Sequence, residues 1–155
     1  MYKKIDPDNY LNDIEFNLKE FIEQNFDAHY VFDIDNSYKA VASEPYKPVF
    51  FFQFGDTNII RENVITADDY KRADFISFEY VVFLLLNDNF TDNNTKRELN
   101  KISNQFLNTF IQKQPKLLEY FESINLSSQG NGNIKSPNGF LVSQHNLNGI
   151  IKKER

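Results

Sequence analysis

The sequence predicts an α+β domain: a small mixed or antiparallel sheet packed by an N-terminal helix and a long second helix, with a long loop between strands. Three observations predict it. Apolar residues recur at three- and four-residue spacing in two segments, Leu11 to Ile22 and Leu99 to Ile111. Aromatic and β-branched runs, "HYVFDI", "VFFFQF" and "FISFEYVVFLLL", stand between those segments. Polar stretches rich in Asn, Asp and Gly punctuate the chain, and no internal repeat is visible.

Each element has a local reason. Asp6 followed by Pro7 reads as a helix cap with proline in the first turn, and Leu11, Ile14, Leu18, Phe21 and Ile22 supply one apolar face of a helix ending near Asn25. Tyr30, Phe32 and Ile34 alternate before the turn residues Asp35, Asn36 and Ser37, with Tyr38, Ala40 and Ala42 beyond, which reads as a hairpin. Val49 to Phe54 is dense enough in aromatics to be a central strand covered on both faces. From Gly55 to Asp74 the period is lost: the pairs Ile59-Ile60 and Val64-Ile65 lie among frequent charges, so residues 55–74 read as an extended loop.

Alternation resumes from Phe75 to Asn87, with Ile76, Phe78, Tyr80, Val82, Leu84 and Leu86 on one face; the other face begins polar and turns apolar. Thr91 or Asp92 can cap the second helix, whose stripe is Leu99, Ile102, Phe106, Phe110 and Ile111, with Lys96, Arg97, Glu98 and Lys101 facing out. Pro115 should end or kink it, and Leu117, Leu118 and Phe121 suggest one more turn. Residues 127–139 read as a flexible loop, and "FLVSQ" and "GIIKK" as a closing hairpin turning at residues 145–148.

At 155 residues the chain fits a single domain, 1–155, able to bury a core without staples. It has no cysteine, which removes disulfides, zinc-thiolate sites and a thiol nucleophile. "MYKKIDPDNY" lacks the apolar segment of a signal peptide, and the apolar run Val81 to Leu86 is far too short to span a bilayer as a helix, so no membrane partner is expected. A formal charge of -5 argues against a sequence-independent grip on nucleic acid. Abundant Asn, Ile, Lys and Phe suggest AT-rich codons, as in a low-GC bacterium or one of its viruses.

Candidate chemistry is sparse. Asp33 and Asp35 have the alternate spacing of a carboxylate pair that shares a cation, but they sit where a hairpin turn favours Asp and Asn. Asp68, Asp69, Lys71, Arg72 and Asp74 read as a mixed-charge surface. His29 and His145, the only imidazoles, have no nucleophile and orienting group at a recognisable spacing. "GNGN", residues 130–133, lacks the leading strand and following helix of a phosphate cradle. These residues carry no catalytic, cofactor or metal site.

The order of elements is more informative. "YLNDIEFNLKEFIEQ" opens, "FFFQFGD" leads into the charged loop, and "FISFEYVVFLLLNDN" runs into "KRELNKISNQFLNTFI" ahead of a closing hairpin. This order resembles the tail terminator and tail-completion (head-tail joining) proteins of long-tailed bacteriophages, over nearly the whole chain and at the level of pattern, without a signature motif. The resemblance implies a structural virion protein and no enzyme, assembled in the bacterial cytoplasm. Its subunits would form a six-fold ring at the head-proximal end of the tail and meet neck or connector and tail-tube proteins. DNA would pass through the lumen without specific binding, and no cofactor would be needed. Such rings close through two different complementary surfaces. The loop residues Ile59, Ile60, Arg61, Glu62, Val64, Ile65, Asp68, Asp69, Lys71 and Arg72 are the candidate subunit interface. The alternative is a stand-alone cytoplasmic binding or regulatory domain with a pocket between the long helix and the sheet; a third reading is a small metal-dependent hydrolase using Asp33 and Asp35.

Overall fold

The first helix begins where its chemistry dictates. The Asp6 side chain accepts a hydrogen bond from the Asp8 amide at 2.9 Å and caps a single 3-10 turn, Pro7–Asn9, that leads into α1, Tyr10–Asn25. Its end is set by Phe26, which turns to extended backbone, while the Asn25 side-chain amide donates to the Phe21 carbonyl. Ile14, Leu18, Phe21 and Ile22 are buried as their spacing predicts, whereas Leu11 is exposed. The computed structural model describes residues 1–32, 47–65, 70–87, 93–128, 134–135 and 140–153, with the backbone alone at 59–65, 70–74, 87, 93–95, 134–135, 140 and 152–153.

The segment before α1 folds back along it. Asn17, fully buried, accepts from the Lys3 amide at 2.7 Å and donates to the Lys3 carbonyl at 2.9 Å, so one side chain replaces a rung of backbone pairing. Asp13 lies beside it, bonded to the Asp6 amide and to Lys3 Nζ at 2.9 Å. Burial alone would raise its carboxyl, but the Lys3 ammonium and the amide bond outweigh burial and hold it below the usual carboxylate range.

The fold is α+β: one mixed sheet covered on one face by two helices. The strands are β1 (His29–Val31), β2 (Val49–Ile65), β3 (Tyr70–Asn87), β4 (Ser123–Ser128), β5 (Ile134–Lys135) and β6 (Phe140–Lys153). They lie in the order β1-β2-β3-β6-β4, and β5 also pairs with β6. Among the described strands, only the β1–β2 pair is parallel. The expected hairpin partner of β1 falls in residues 33–46, outside the described residues. Val49, Phe50, Phe51 and Phe52 are all buried, so this part of β2 is covered on both faces as expected, but Gln53 and Phe54 are exposed, and β3 rather than β2 is the middle strand.

Even positions of β3, from Ile76 to Leu86, face the helices and are buried throughout. The opposite face carries a smaller cluster, Val31, Val49 and Phe51 with Phe83, Leu85 and Val142 against it. The second helix, α2 (Asn93–Leu117), lies over β3, β6 and β4 and sends Leu99, Ile102, Phe106 and Phe110 into the main core. The proposed caps Thr91 and Asp92 lie outside the described residues. Two details of the stripe differ from expectation: Ile111 is 65% exposed, and Pro115 stands inside the helix rather than ending it. A proline removes one donor, here the partner of the Ile111 carbonyl, and at an exposed position of the last turn water can satisfy that oxygen.

The closing hairpin also differs. Phe140–Lys153 is one continuous strand along β3, and its second neighbour is β4, whose last two residues, Ser127 and Ser128, were read as the start of the flexible loop. Ser143, His145, Leu147, Gly149 and Ile151 all face inward and are buried, so the alternation was present but carried by polar residues and a glycine. Residues 134–135, read as part of a flexible loop, pair with β6; residues 129–133 and 136–139 lie outside the described residues.

Candidate functional site

The segment read as a long loop is the outer half of a long β-hairpin. β2 and β3 stay in antiparallel register from Val49↔Leu85 to Ile65↔Tyr70, so residues 55–65 and 70–74 are paired strand, while residues 66–69 lie outside the described residues. The register shifts once, between Phe54 and Asp56, leaving Gly55 as an extra residue on β2. A side chain there would press on the Glu79 carbonyl at 3.2 Å, so glycine suits the bulge. A bulge sharpens twist and bends its strand, so Gly55 re-aims everything beyond it.

Among the described residues, β6 accompanies β3 as far as Asp74↔Lys153. Beyond that rung, from Glu62↔Ala73 to Ile65↔Tyr70, the described ladder is two-stranded. At roughly 3.3 Å per residue this part extends about 13 Å from the sheet. Ile59, Ile60, Arg61, Glu62, Val64 and Ile65 lie on β2 and Lys71 and Arg72 on β3, so the hairpin does gather them into one arm; Asp68 and Asp69 lie outside the described residues.

The other candidates separate. Asp33, Asp35 and the glycines of residues 130–133 lie outside the described residues, and His29 is half-buried in β1. His145 is different: it is fully buried, and α2 brings Ser103 to it from far back in the chain. Ser103 Oγ lies 2.5 Å from Ser143 Oγ and 2.9 Å from His145 Nε2, while Ser143 Oγ lies 3.1 Å from the same nitrogen. The Phe106 ring stands edge-on to the imidazole, and His145 Nδ1 has no hydrogen-bond partner among the described residues. A serine within hydrogen-bond distance of an imidazole is half of a nucleophile-base pair, but both serines are 2% exposed and the imidazole 0%. This is a sealed polar tie between helix and sheet. It was hidden in the sequence because Ser103 interrupts the α2 stripe as a small polar residue whose partners are remote.

A second buried polar group is the Tyr80 hydroxyl, also without a hydrogen-bond partner among the described residues. Burial, and then the half-buried Glu15 carboxylate beside it, push the phenol above its ordinary range, and burial likewise raises Glu15. Among the described residues, no group of three or more His, Asp or Glu is placed to hold a metal ion, and no helix is long and apolar enough to cross a membrane.

The sealed histidine has a pH signature. Burial pushes His145 down to about 4 from its ordinary 6.5, so it is neutral in the folded protein near neutrality. Between these values the unfolded chain binds a proton that the folded one does not, so stability is intact above pH 6.5 and falls as the solution is acidified towards pH 4. The loss over that window is about 3 kcal/mol. Denaturant titrations at pH 7 and pH 4.5 should show a smaller loss in His145→Asn than in the native sequence; equal losses would place the imidazole in contact with water.

No protein-family model matches the chain, and no curated protein matches it.

Proposed function

We propose that this protein is a structural subunit that assembles with copies of itself through the β2–β3 arm, as a tail terminator or tail-completion protein of a bacteriophage. In this reading it forms a six-fold ring at the head-proximal end of the tail and joins tail to neck. Its neighbours are connector and tail-tube proteins, its place is the virion, and it catalyses nothing. The observation that carries the proposal is the arm: a long ladder, bent by a bulge at Gly55, whose outer rungs run past the last described rung of β6. A mean strand is only about 5 to 6 residues. A two-stranded ribbon is marginal alone in water, so its outer rungs gain most when another surface covers them. Ile59, Ile60, Val64 and Ile65 supply the apolar content for that contact.

The alternative, a binding domain with a pocket between the long helix and the sheet, has less support. That space is occupied by Leu99, Phe106 and Phe110 and by the Ser103, Ser143 and His145 cluster.

The register dictates how to test the arm. Replacing residues 61–74 with Asn-Gly closes a two-residue hairpin on the Ile60↔Phe75 rung and leaves the sheet intact. Native mass spectrometry should find the full chain as a closed oligomer and the shortened chain as a folded monomer. A shortened chain that still forms the same oligomer would refute the arm's role.

A further inference from the structure

The solvent faces of the two helices carry opposite charge. On α2, Lys96, Arg97, Lys101, Lys113 and Lys116 are all exposed, against Glu98 as the one acid of the helix. Along α1 the acids that reach solvent are the partly buried Glu20 and the exposed Glu23, against Lys19, while Asp13 is buried and Glu15 turns towards Tyr80; Asp8 and Asp27 flank the helix, both exposed. Local pairs remove part of this: Asp13 holds Lys3, Glu20 holds the Met1 amine, Asp27 holds Lys47, and Lys116 holds Glu119. Among the described residues, Lys96, Arg97, Lys101 and Lys113 on one helix and Asp8 and Glu23 by the other have no ion-pair partner, Glu23 accepting only the Tyr30 hydroxyl. The basic face is notable in a chain whose net charge is -5.

The two faces lie on opposite flanks. α1 sits over the β1–β2 side: Glu23 accepts from the Tyr30 hydroxyl at 2.9 Å, Lys19 lies over the Tyr30 ring, and the Tyr10 hydroxyl reaches Thr57. α2 sits over the β6–β4 side, through Ser103 to β6 and through Gln114, which donates to the Ile124 carbonyl at 2.9 Å. β1 and β4 are the two ends of the strand order. Each face also exposes apolar side chains, Leu11 and Phe16 on α1 and Ile111 on α2, with Leu118 just beyond it. An apolar centre with a charged rim is the anatomy of a protein interface.

We propose that the basic, Ile111-bearing face of α2 docks on the acidic, Phe16-bearing face of α1 in a second copy of this chain. Two unlike surfaces on opposite flanks make a head-to-tail contact, which closes into a ring when the rotation permits. The inference rests on the self-assembly reading and adds to it the surfaces that set the order of subunits. A second copy is favoured over nucleic acid as the occupant because the acidic counterpart is on the same molecule and the net charge repels phosphate.

Charge exchange tests it. One variant carries Lys96→Glu, Arg97→Glu and Lys101→Glu, the other Asp8→Lys, Glu23→Lys and Asp27→Lys. Each alone should associate at least about tenfold more weakly than the native chain at 0.1 M salt, and a one-to-one mixture should regain assembly, because each variant's altered face then meets its complement. Circular dichroism on each variant establishes that it is folded, and recovery in the mixture requires folded partners. Variants that assemble natively, or a mixture that stays dissociated, would overturn this contact. If the shortened-arm chain is monomeric in the same experiment, the self-assembly reading survives that failure; a native chain that is monomeric throughout would remove both. Retardation of a DNA fragment by the native chain, lost in the α2 variant, would reassign the basic face to nucleic acid and overturn the proposal.

Discussion

Phe106→Ala should cost about 3 to 5 kcal/mol, a large share of the 5 to 15 kcal/mol that keeps a domain folded. The reason is the number of partners that meet on this ring. Phe106 lies 5.0 Å from Phe50 of β2, 6.1 Å from Phe26 and 6.4 Å from Phe21 of α1, and 5.3 Å from the His145 ring, centroid to centroid. Three of these four contacts have near-perpendicular ring planes, an arrangement that aromatic quadrupoles favour. Alanine would leave a cavity at the junction of both helices and the sheet. It would also uncover the Ser103, Ser143 and His145 cluster, whose buried polar atoms depend on being sealed together. Urea denaturation followed by circular dichroism reads the loss directly. An unchanged midpoint would mean that the α2 stripe faces solvent.

Gly149→Ala should be nearly as damaging. A β-carbon at this position would lie 2.5 Å from Phe78 Cζ and 2.6 Å from the Ser123 carbonyl oxygen. Phe78 is fully buried and packs on Tyr80 and Phe121, so its ring has little room to retreat. The Ser123 oxygen belongs to the backbone of β4, which pairs with β6 at the Ile124↔Gly149 rung. One methyl group must therefore displace either a core aromatic or an edge strand, at a cost of about 3 kcal/mol. For a domain of this length that is a fall of roughly 10 °C in melting temperature. A native melting temperature in Gly149→Ala would show that β4 does not approach β6 at this rung.

These two positions also show what the sequence could and could not disclose. Phe106 was legible because α2 has one buried face, and burial of one helical face writes a period of three to four into the sequence. The same holds for α1 and for β3, where Ile76 to Leu86 alternate against the helices. The stretch 145–148 misled for a physical reason: its asparagines have turn composition, yet it runs straight through the strand with His145 and Leu147 facing inward. Gly149, read as the start of a strand, does lie in one, and its missing side chain makes room for Phe78.

The arm was illegible in a different way. Alternation is imposed by one wet and one buried face, and a two-stranded ribbon beyond the last described rung of β6 has no helix layer among the described elements to bury one. Thr57, Ile59, Ile60, Val64 and Ile65 kept the β-branched composition of a strand, which was the remaining signal. The candidate interface residues of 59–65 and 71–72 were thus named together for their charge and apolar content, while the structure that joins them was missed. The Ser103 tie could not be read at all, because nothing local in a sequence links a helix serine to a strand histidine 42 positions later.

The central claim is that the arm is an assembly surface. Hydrogen exchange on the backbone amides of residues 61–65 and 70–74, compared between dilute monomer and assembled protein, tests it most directly. Isolated, the outer rungs should exchange far faster than the β3–β6 ladder, because a two-stranded ribbon opens locally. On assembly their protection should rise towards that of the core, together with that of neighbouring surfaces that receive them. Equal exchange of the arm in monomer and oligomer, with protection gained elsewhere, would contradict the account.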